Sequence, residues 1–279
     1  MVQQFNCAGK VLDLSTPQVM GILNVTPDSF SDGGHYTQQQ SALSQTAIMI
    51  EQGAAIIDVG GESTRPGAAD VSLSEELDRV IPVIEKLVSE FDTIVSIDTS
   101  KAEVMSAAVK AGASMINDVN ALRTEGALDA ALKSGVPICL MHMQGVPRTM
   151  QTAPNYEHVT NDVISFLVKR VEDCVAAGIA RERLIVDPGF GFGKTLEQNC
   201  QLMHELNAFK KIDCPVLVGV SRKSMIGQIL DAEVNERLLG SVALETLAVW
   251  QGASIIRAHD VAAAMDAVKI ASAVKFPNL

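Results

Sequence analysis

The sequence predicts an α/β chain folded as a closed (β/α)8 barrel of the TIM type, and three observations carry this prediction. Short aliphatic runs alternate with helical patterns eight times, which implies right-handed crossovers and a parallel sheet. The 279 residues suit eight such units, since a barrel of this kind typically needs about 250. A weak repeat also recurs at 52–61, 111–119 and 251–260, where Gly-Ala precedes an aliphatic run that ends in a polar residue.

The elements follow in a regular order along the chain. Residues 5–14 predict a short N-terminal β-hairpin around Gly9, which we expect at the bottom of the barrel. The eight strands are expected within 19–25, 52–61, 93–98, 111–119, 136–142, 183–189, 215–221 and 251–260. The helical patterns lie at 39–52, 72–90, 101–111, 125–134, 157–177, 199–211, 236–251 and 261–274. No linker interrupts the series, so one domain is expected over 1–279. An open doubly wound sheet is the alternative, but no dinucleotide fingerprint follows the first strand.

Composition and charge exclude several classes of binding partner and of cellular location. The net charge of −11 argues against nucleic acid or an anionic membrane as a partner. The first ten residues show no arginine-rich or apolar leader, and no apolar stretch is long enough to cross a membrane. The five cysteines are odd in number and contain no C-x-x-C pair, which is typical of reduced structural thiols. We therefore expect a cytoplasmic protein that acts on small molecules.

The stretch LIVDPGFGFGKT at 184–195 looks like a nucleotide-binding loop, but its spacing excludes one. A P-loop has four residues between its first glycine and the Gly-Lys pair, whereas only three separate Gly189 from Gly193. The position that should hold the first glycine is Pro188, which has no N–H to donate. An acid and a glycine-rich loop at the end of a buried strand therefore need another explanation.

Polar side chains gather where the predicted strands end, and in a barrel those ends meet at one mouth. The residues are Asn24, Glu62, Ser63, Thr64, Arg65, Asp98, Asn117, His142, Asp187, Ser221, Arg222, Lys223, Arg257 and His259. Each one alone is more commonly a turn or capping residue. Together they separate by charge, because basic groups follow strands seven and eight while the acids and amide come from the middle strands. A ligand with a phosphate end and a donor-rich polar ring would match both halves.

Two further loops and three phenylalanines complete the predicted mouth. The loops at 24–34 and 61–69 are punctuated by glycine and proline. Phe30, Phe190 and Phe192 lie in glycine-rich loops at the same end of the barrel. We expect Phe30 and Phe192 to stack on a flat ligand, because their small neighbours offer little core. For Phe190, packing into the barrel top and contact with the ligand remain open.

Eight motifs together resemble the dihydropteroate synthase family, and they cover nearly the whole chain. They are MGILNVTPDSFSDGG (20–34), IIDVGGESTRPGA (56–68), SIDTSK (96–101), IND (116–118), CLMHMQG (139–145), DPGFGFGK (187–194), VGVSRKSMIG (218–227) and IIRAHD (255–260). No motif position departs from the family pattern. The resemblance implies a pterin-binding barrel that joins (7,8-dihydropterin-6-yl)methyl diphosphate to 4-aminobenzoate and releases diphosphate. It further implies Mg²⁺, inhibition by sulfonamides and a homodimer.

The resemblance also implies roles for individual residues. Asn24 would bind Mg²⁺, and Thr64, Arg257 and His259 would contact the diphosphate, helped by Arg65. Asp98, Asn117 and Asp187 would read the donor edge of the pterin, with Lys223 at its carbonyl side and Met141 packed nearby. Phe30, Pro66, Phe192 and Ser224 would border the 4-aminobenzoate pocket. Asp32 is a candidate for ordering the water shell of the metal or for stabilising the cation.

The implied reaction accounts for the absence of a Ser-His-Asp or Cys-His arrangement in the sequence. An arylamine is already nucleophilic, so the reaction needs help for the leaving diphosphate and for the positive charge on the pterin. For His142, a hydrogen bond to a backbone group is the preferred interpretation. For Arg257, the structural alternative is an ion pair with an acid such as Glu62 or Asp260 that only supports the barrel.

Two other functions share part of this pattern. A pterin-dependent methyltransferase domain has the same barrel and similar acids, but it needs no diphosphate clamp, and the motifs SRKS and RAH speak against it. A non-catalytic barrel that stores a pterin is the second alternative. It is disfavoured because binding without chemistry needs no mobile loops.

Overall fold

The computed structural model describes residues 4–25, 35–63, 70–145, 150 and 154–277, with only the backbone described at 35–38. The chain opens with the predicted hairpin, in which β1 (Gln4–Cys7) pairs antiparallel with β2 (Lys10–Asp13). The turn passes through Ala8 and Gly9, both at positive φ. Among the described residues, no helix combines the length and the apolar character that a membrane span requires.

Eight parallel strands form the predicted barrel. They are β3 (Gln18–Asn24), β4 (Ile56–Gly60), β5 (Ile94–Asp98), β6 (Met115–Asp118), β7 (Ile138–Met141), β8 (Leu184–Asp187), β9 (Leu217–Val218) and β10 (Ile255–Ala258). Their order in the sheet is β8-β7-β6-β5-β4-β3-β10-β9. A parallel bridge between Val186 and Val216 joins the two ends, and Val186 N donates to Pro215 O at 3.0 Å. The fold class and all eight strand positions are therefore confirmed.

Helices follow the strands as the sequence patterns predict, apart from shifted bounds, one divided pattern and one additional helix. They are α1 (His35–Glu51), α2 (Leu73–Glu90), α3 (Ala102–Lys110), α4 (Ala127–Ser134), α5 (Val159–Ala176), α6 (Leu196–His204), α7 (Ser224–Leu230), α8 (Leu238–Gln251) and α9 (Val261–Lys275). The pattern at 199–211 divides into α6 and a 3-10 helix over Leu206–Ile212. A capping box of Thr195 and Gln198 starts α6 earlier than predicted. Helix α7 was not predicted, because two turns are too short for a periodic signal.

The hairpin supplies the floor of the barrel. Phe5 and Leu12 pack against the first inward-facing residues of the strands, among them Ile56, Met115 and Ile255. All five side chains are almost completely buried. The predicted position of the hairpin at the bottom is therefore confirmed, and the opposite end of the barrel is left as the mouth. The single domain over 1–279 stays a prediction.

A stability test follows from the turn after β8. Gly189 has φ +68°, and a Cβ there would lie 1.9 Å from the carbonyl oxygen of His142. Gly135 has nearly the same backbone, with φ +73°, but a Cβ there would meet nothing within 4 Å. We expect Gly135→Ala to cost about 1–2 kcal/mol of unfolding free energy, the price of the left-handed backbone alone. Gly189→Ala should cost clearly more in the same urea titration, and equal losses would contradict the predicted clash.

Candidate active site

A cavity of about 1170 Å³ opens at the carboxyl ends of the strands. It collects every predicted site residue that falls within the described part of the chain. These are Asn24, Asp98, Asn117, Met141, Asp187, Phe192, Lys223, Ser224, Arg257 and His259. Phe30, Asp32, Thr64, Arg65 and Pro66 lie outside the described residues. Among the described residues predicted at the strand ends, all but His142 line this one cavity.

Alternation along the strands explains why these side chains share one cavity. Side chains two positions apart on a strand face the same side of the sheet. In six of the eight strands the apolar floor residue is followed by a polar or sulfur-containing side chain that faces the interior one level higher, whereas β3 has Ile22 and β9 leads to Gly219 at this level. The pairs are Ile56 and Asp58, Ile94 and Ser96, Met115 and Asn117, Cys139 and Met141, Ile185 and Asp187, and Ile255 and Arg257. The barrel interior thus changes from apolar at the floor to mainly polar below the mouth.

Arg257 lies between two carboxylates inside the barrel. Its Nε donates to Asp58 Oδ2 at 2.7 Å, and its Nη2 donates to Asp98 Oδ2 at 2.8 Å. Although burial acts in the opposite sense, these two carboxylates raise the pKa of Arg257 above its usual range. Burial raises the pKa of Asp98 to about 7, against the effect of Arg257 and together with that of Asp58. The arginine is therefore the fixed charge of the group.

As the alternative role for Arg257, an ion pair with Glu62 or Asp260 was predicted. Arg257 does form ion pairs, but neither of these two acids is its partner. Asp260 pairs instead with Arg222, which donates from Nε at 2.8 Å and from Nη2 at 2.5 Å. Glu62 pairs with Lys101 at 2.5 Å. Both acids follow the strand ends and turn toward loop cations, whereas Asp58 and Asp98 face the barrel interior.

Asp58 was missed by the sequence analysis. It is completely buried in β4, and its Oδ2 also accepts from Asn117 Nδ2 at 3.0 Å. Asp58 lies in the middle of the run IIDVG and not at a strand end, where the site residues were predicted. An acid between aliphatic residues of a fully buried strand is itself a signal, because a buried carboxylate requires a partner.

The glycine-rich loop after β8 is built around the buried amine of Lys194, a residue that was not predicted at the site. Lys194 Nζ donates to the carbonyl oxygens of Gly189 at 2.7 Å and Phe192 at 3.1 Å, and it lies 3.0 Å from His142 Nδ1. Burial lowers the pKa of Lys194 well below its usual value. Gly189 N donates to Asp187 Oδ1 at 2.7 Å, so the loop also fixes the acid at the end of β8.

The two phenylalanines of this loop have different environments. Phe190 is fully buried in the core between strands and helices. Phe192 lines the cavity, and Lys223 Nζ lies 4.5 Å from the centre of its ring. Lys223 also donates to the carbonyl oxygen of Phe190. Of the two possibilities for Phe190, core packing is therefore correct.

Two histidines were considered at the mouth, and only one of them lines the cavity. His259 does so, and its backbone N–H donates to Ser221 Oγ at 3.1 Å. His142 is buried, and its ring meets Phe166 edge-on. Burial lowers the pKa of His142 to about 2, so its imidazole is neutral. Its Nδ1 lies 3.0 Å from Lys194 Nζ, a side-chain partner that was not predicted.

Asn24 is the predicted metal ligand at the end of β3. The described residues hold no group of three or more His, Cys, Asp or Glu side chains that could bind a metal ion. Asn24 and Asp98 both line the cavity, and a Cβ on Gly60 would lie 3.9 Å from Asn24 Oδ1 and from Asp98 Oδ2, so both oxygens lie near this glycine. One amide oxygen beside open space fits Mg²⁺, which keeps several waters and binds substrate phosphates.

Comparisons with known proteins agree with this geometry. A sequence model of the family described as "Pterin binding enzyme" matches residues 20–259. The dihydropteroate synthase of Haemophilus influenzae is 54% identical over 261 residues, which are 94% of this chain and 95% of that protein. The dihydropteroate synthase of Escherichia coli K12 is 53% identical over 265 residues, 95% of this chain and 94% of the other. The chain belongs to the dihydropteroate synthase family of pterin-binding enzymes.

Solved structures support the same assignment. Yersinia pestis dihydropteroate synthase in a sulfonamide drug complex has a TM-score of 0.93 at 52% identity, covering 98% of this chain and 99% of that one. The Xanthomonas albilineans enzyme with 7,8-dihydropteroate has a TM-score of 0.90 at 47% identity, with the same coverage. The predicted family is therefore confirmed. A dihydropteroate synthase is favoured over the two alternatives, a pterin-dependent methyltransferase domain and a non-catalytic storage barrel.

The position of Lys223 generates a prediction for stability against pH. Burial lowers its pKa to about 8, with Arg257 acting in the same sense and Asp187 opposing. The unfolded chain holds this proton up to the ordinary value of 10.5, so it binds more protons than the folded state between the two values. The contribution of Lys223 to the unfolding free energy should therefore rise with pH across this window.

The test compares the wild type with Lys223→Met in urea titrations at intervals from pH 8 to 10.5. We expect the unfolding free energy of the wild type to increase relative to that of the variant. The difference isolates Lys223 from other groups that titrate in the same range. A difference that stays flat or falls would contradict the burial of this ammonium.

Proposed function

We propose that this protein condenses (7,8-dihydropterin-6-yl)methyl diphosphate with 4-aminobenzoate to give 7,8-dihydropteroate and diphosphate. The observation that carries the proposal is that one cavity is lined both by the acids and amide Asp98, Asn117 and Asp187 and by the basic residues Lys223, Arg257 and His259. The first set suits the N–H groups of a pterin, and the second suits its carbonyl and the diphosphate. Relatives crystallised with 4-aminobenzoic acid and with 7,8-dihydropteroate support this choice of substrate and product.

The reaction requires loss of an anion more than transfer of a proton. The C–O bond of the pterin diphosphate breaks, and its electron pair leaves with the diphosphate. The arylamine nitrogen then forms the new C–N bond and gives up one proton. Charge grows on the leaving group as the bond breaks, so Arg257 and His259 contribute most if their contacts strengthen at that stage. Thr64 and Arg65 complete this contact set in the proposal.

Magnesium would bind next to the diphosphate. We propose that Asn24 holds the ion through its amide oxygen, with the remaining ligands from diphosphate and water. When bound, the ion would neutralise part of the diphosphate charge. The 4-aminobenzoate pocket would be bordered by Phe192 and Ser224, together with Phe30 and Pro66, and sulfonamides would compete there. A relative crystallised with a sulfonamide drug supports this last point.

We also propose a homodimer in the cytoplasm. Helix α8 packs against α7 and α9, and the three helices carry exposed apolar side chains such as Ile229, Leu239, Trp250 and Ile270. Leu239 is 79% exposed, which is costly for a leucine unless a second copy covers it. All five cysteines are free thiols, which suits a reducing compartment.

The central experiment is an incubation of the protein with the pterin diphosphate, labelled 4-aminobenzoate and Mg²⁺. We expect labelled dihydropteroate, and we expect excess EDTA to abolish turnover because Asn24 alone is a weak neutral ligand. Binding of 6-hydroxymethyl-7,8-dihydropterin, which lacks the diphosphate, should survive EDTA in calorimetry. Undiminished turnover in EDTA would refute the metal, and no product at all would refute the activity.

Arg257→Lys tests the diphosphate contact. Lysine keeps the charge but cannot span Asp58 and Asp98 as a guanidinium does. We expect pyrophosphate affinity to fall about tenfold in calorimetry, because a charge-assisted contact is worth roughly 1.5–3 kcal/mol. The control is Arg183→Lys, since the partners of Arg183 among the described residues are backbone carbonyls and a serine hydroxyl, and it does not line the cavity. Both variants should lose stability, but if both left pyrophosphate binding unchanged, Arg257 would be purely structural.

A further inference from the structure

Asp58 lies directly behind two residues of the candidate site and does not itself line the cavity. One of its oxygens, Oδ2, accepts from both Arg257 Nε and Asn117 Nδ2. Its other oxygen, Oδ1, is buried without a hydrogen-bond partner in the described part of the chain. A single carboxylate oxygen therefore joins the arginine of β10 to the amide of β6.

The contact with Asn117 determines which group that amide offers to a ligand. An ionised carboxylate only accepts hydrogen bonds, so the atom of Asn117 that lies 3.0 Å from Asp58 must be its NH₂ group. The amide oxygen is then the group that remains for the N–H donors of a ligand in the cavity. Without Asp58 the amide could turn over and present N–H groups to the same donors, which would weaken binding.

The contact with Arg257 restricts the orientation of the guanidinium, as the contact with Asn117 restricts the orientation of the amide. Two of its five N–H groups point to acids, one at Asp58 and one at Asp98. This pairing fixes the plane of the guanidinium and therefore the direction of its other donors. The negative charge of Asp58 also lowers the attraction of this region for a second anion.

We propose that Asp58 is a positioning residue that fixes, through one oxygen, the amide orientation of Asn117 toward the pterin and the guanidinium orientation of Arg257 toward the diphosphate. This inference rests on the proposed function. It assigns Asp58 no contact with the substrate.

The first test uses Asp58→Ala, with Ser96→Ala as the matched control. Ser96 is the register partner of Asp58 on β5, is equally buried, and its hydroxyl has no partner among the described residues. By calorimetry with 6-hydroxymethyl-7,8-dihydropterin, we expect Asp58→Ala to lose about tenfold in affinity and Ser96→Ala to keep it. The double variant with Asn117→Ala should bind no more weakly than Asn117→Ala alone, because Asp58 acts through that amide.

The second test uses Asp58→Asn, which preserves the volume of the side chain if Asp58→Ala does not fold. The new amide oxygen can take the place of Oδ2 and keep both hydrogen bonds, and the NH₂ group then occupies the position of Oδ1. We expect pterin affinity to stay within about threefold of the wild type. Pyrophosphate affinity should rise several-fold, since one negative charge beside Arg257 is removed. A merely structural carboxylate would change the unfolding temperature and neither affinity.

The outcomes separate this inference from the proposed function. Wild-type pterin affinity in a folded Asp58→Ala variant would overturn the inference, as would additive losses in the double variant. Unchanged or weaker pyrophosphate binding in Asp58→Asn would overturn it as well. A wild-type protein that bound the pterin but formed no dihydropteroate would refute the proposed reaction, while the binding arms would still decide the role of Asp58.

Discussion

The buried guanidinium of Arg257 is the interaction on which the rest of the site depends. A charge removed from water must be paired, and Arg257 is paired with both Asp58 and Asp98. The two acids belong to β4 and β5, which lie beyond β3 from β10 in the sheet, so the pairing crosses the barrel interior. Removing the arginine would leave two buried carboxylates close together, and removing either acid would leave a buried cation with one partner. The strands therefore hold this charged group as a unit.

The apolar floor makes that charged group effective. Phe5 and Leu12 of the hairpin close the bottom of the barrel against the first inward-facing residue of each strand. The charges one level above therefore have protein rather than water beneath them, and electrostatic interactions are stronger in such surroundings. The same surroundings raise the pKa of Asp98 and lower that of Lys223. Fold and site are linked here, because a hairpin that binds nothing in the cavity sets the strength of its electrostatics.

The sequence predicts the barrel well because each level of the pattern agrees with the next. Aliphatic runs, helical periodicity and chain length all require a parallel barrel, and parallel strands bring their ends together without further information. Contacts between side chains inside the barrel cannot be predicted in this way. They depend on the register of neighbouring strands and on the length and direction of each side chain. The pairing of Arg257 with Asp58 rather than Glu62 follows from the inward face of β4, which strand ends alone do not show. Lys194 was not predicted at the site for a similar reason. It donates to backbone carbonyl oxygens, and the sequence does not show which carbonyls a side chain will contact.

The loop after β8 shows how one buried amine organises a stretch that resembles a phosphate loop. Lys194 Nζ donates to two carbonyl oxygens of the loop and lies 3.0 Å from Nδ1 of the neutral His142. Gly189 joins this amine to Asp187, because its carbonyl oxygen accepts from Lys194 Nζ and its N–H donates to Asp187 Oδ1. With the backbone held in this way, Phe190 enters the core and Phe192 lines the cavity. The alternating glycines and phenylalanines therefore place one ring inside the core and the other at the wall of the cavity.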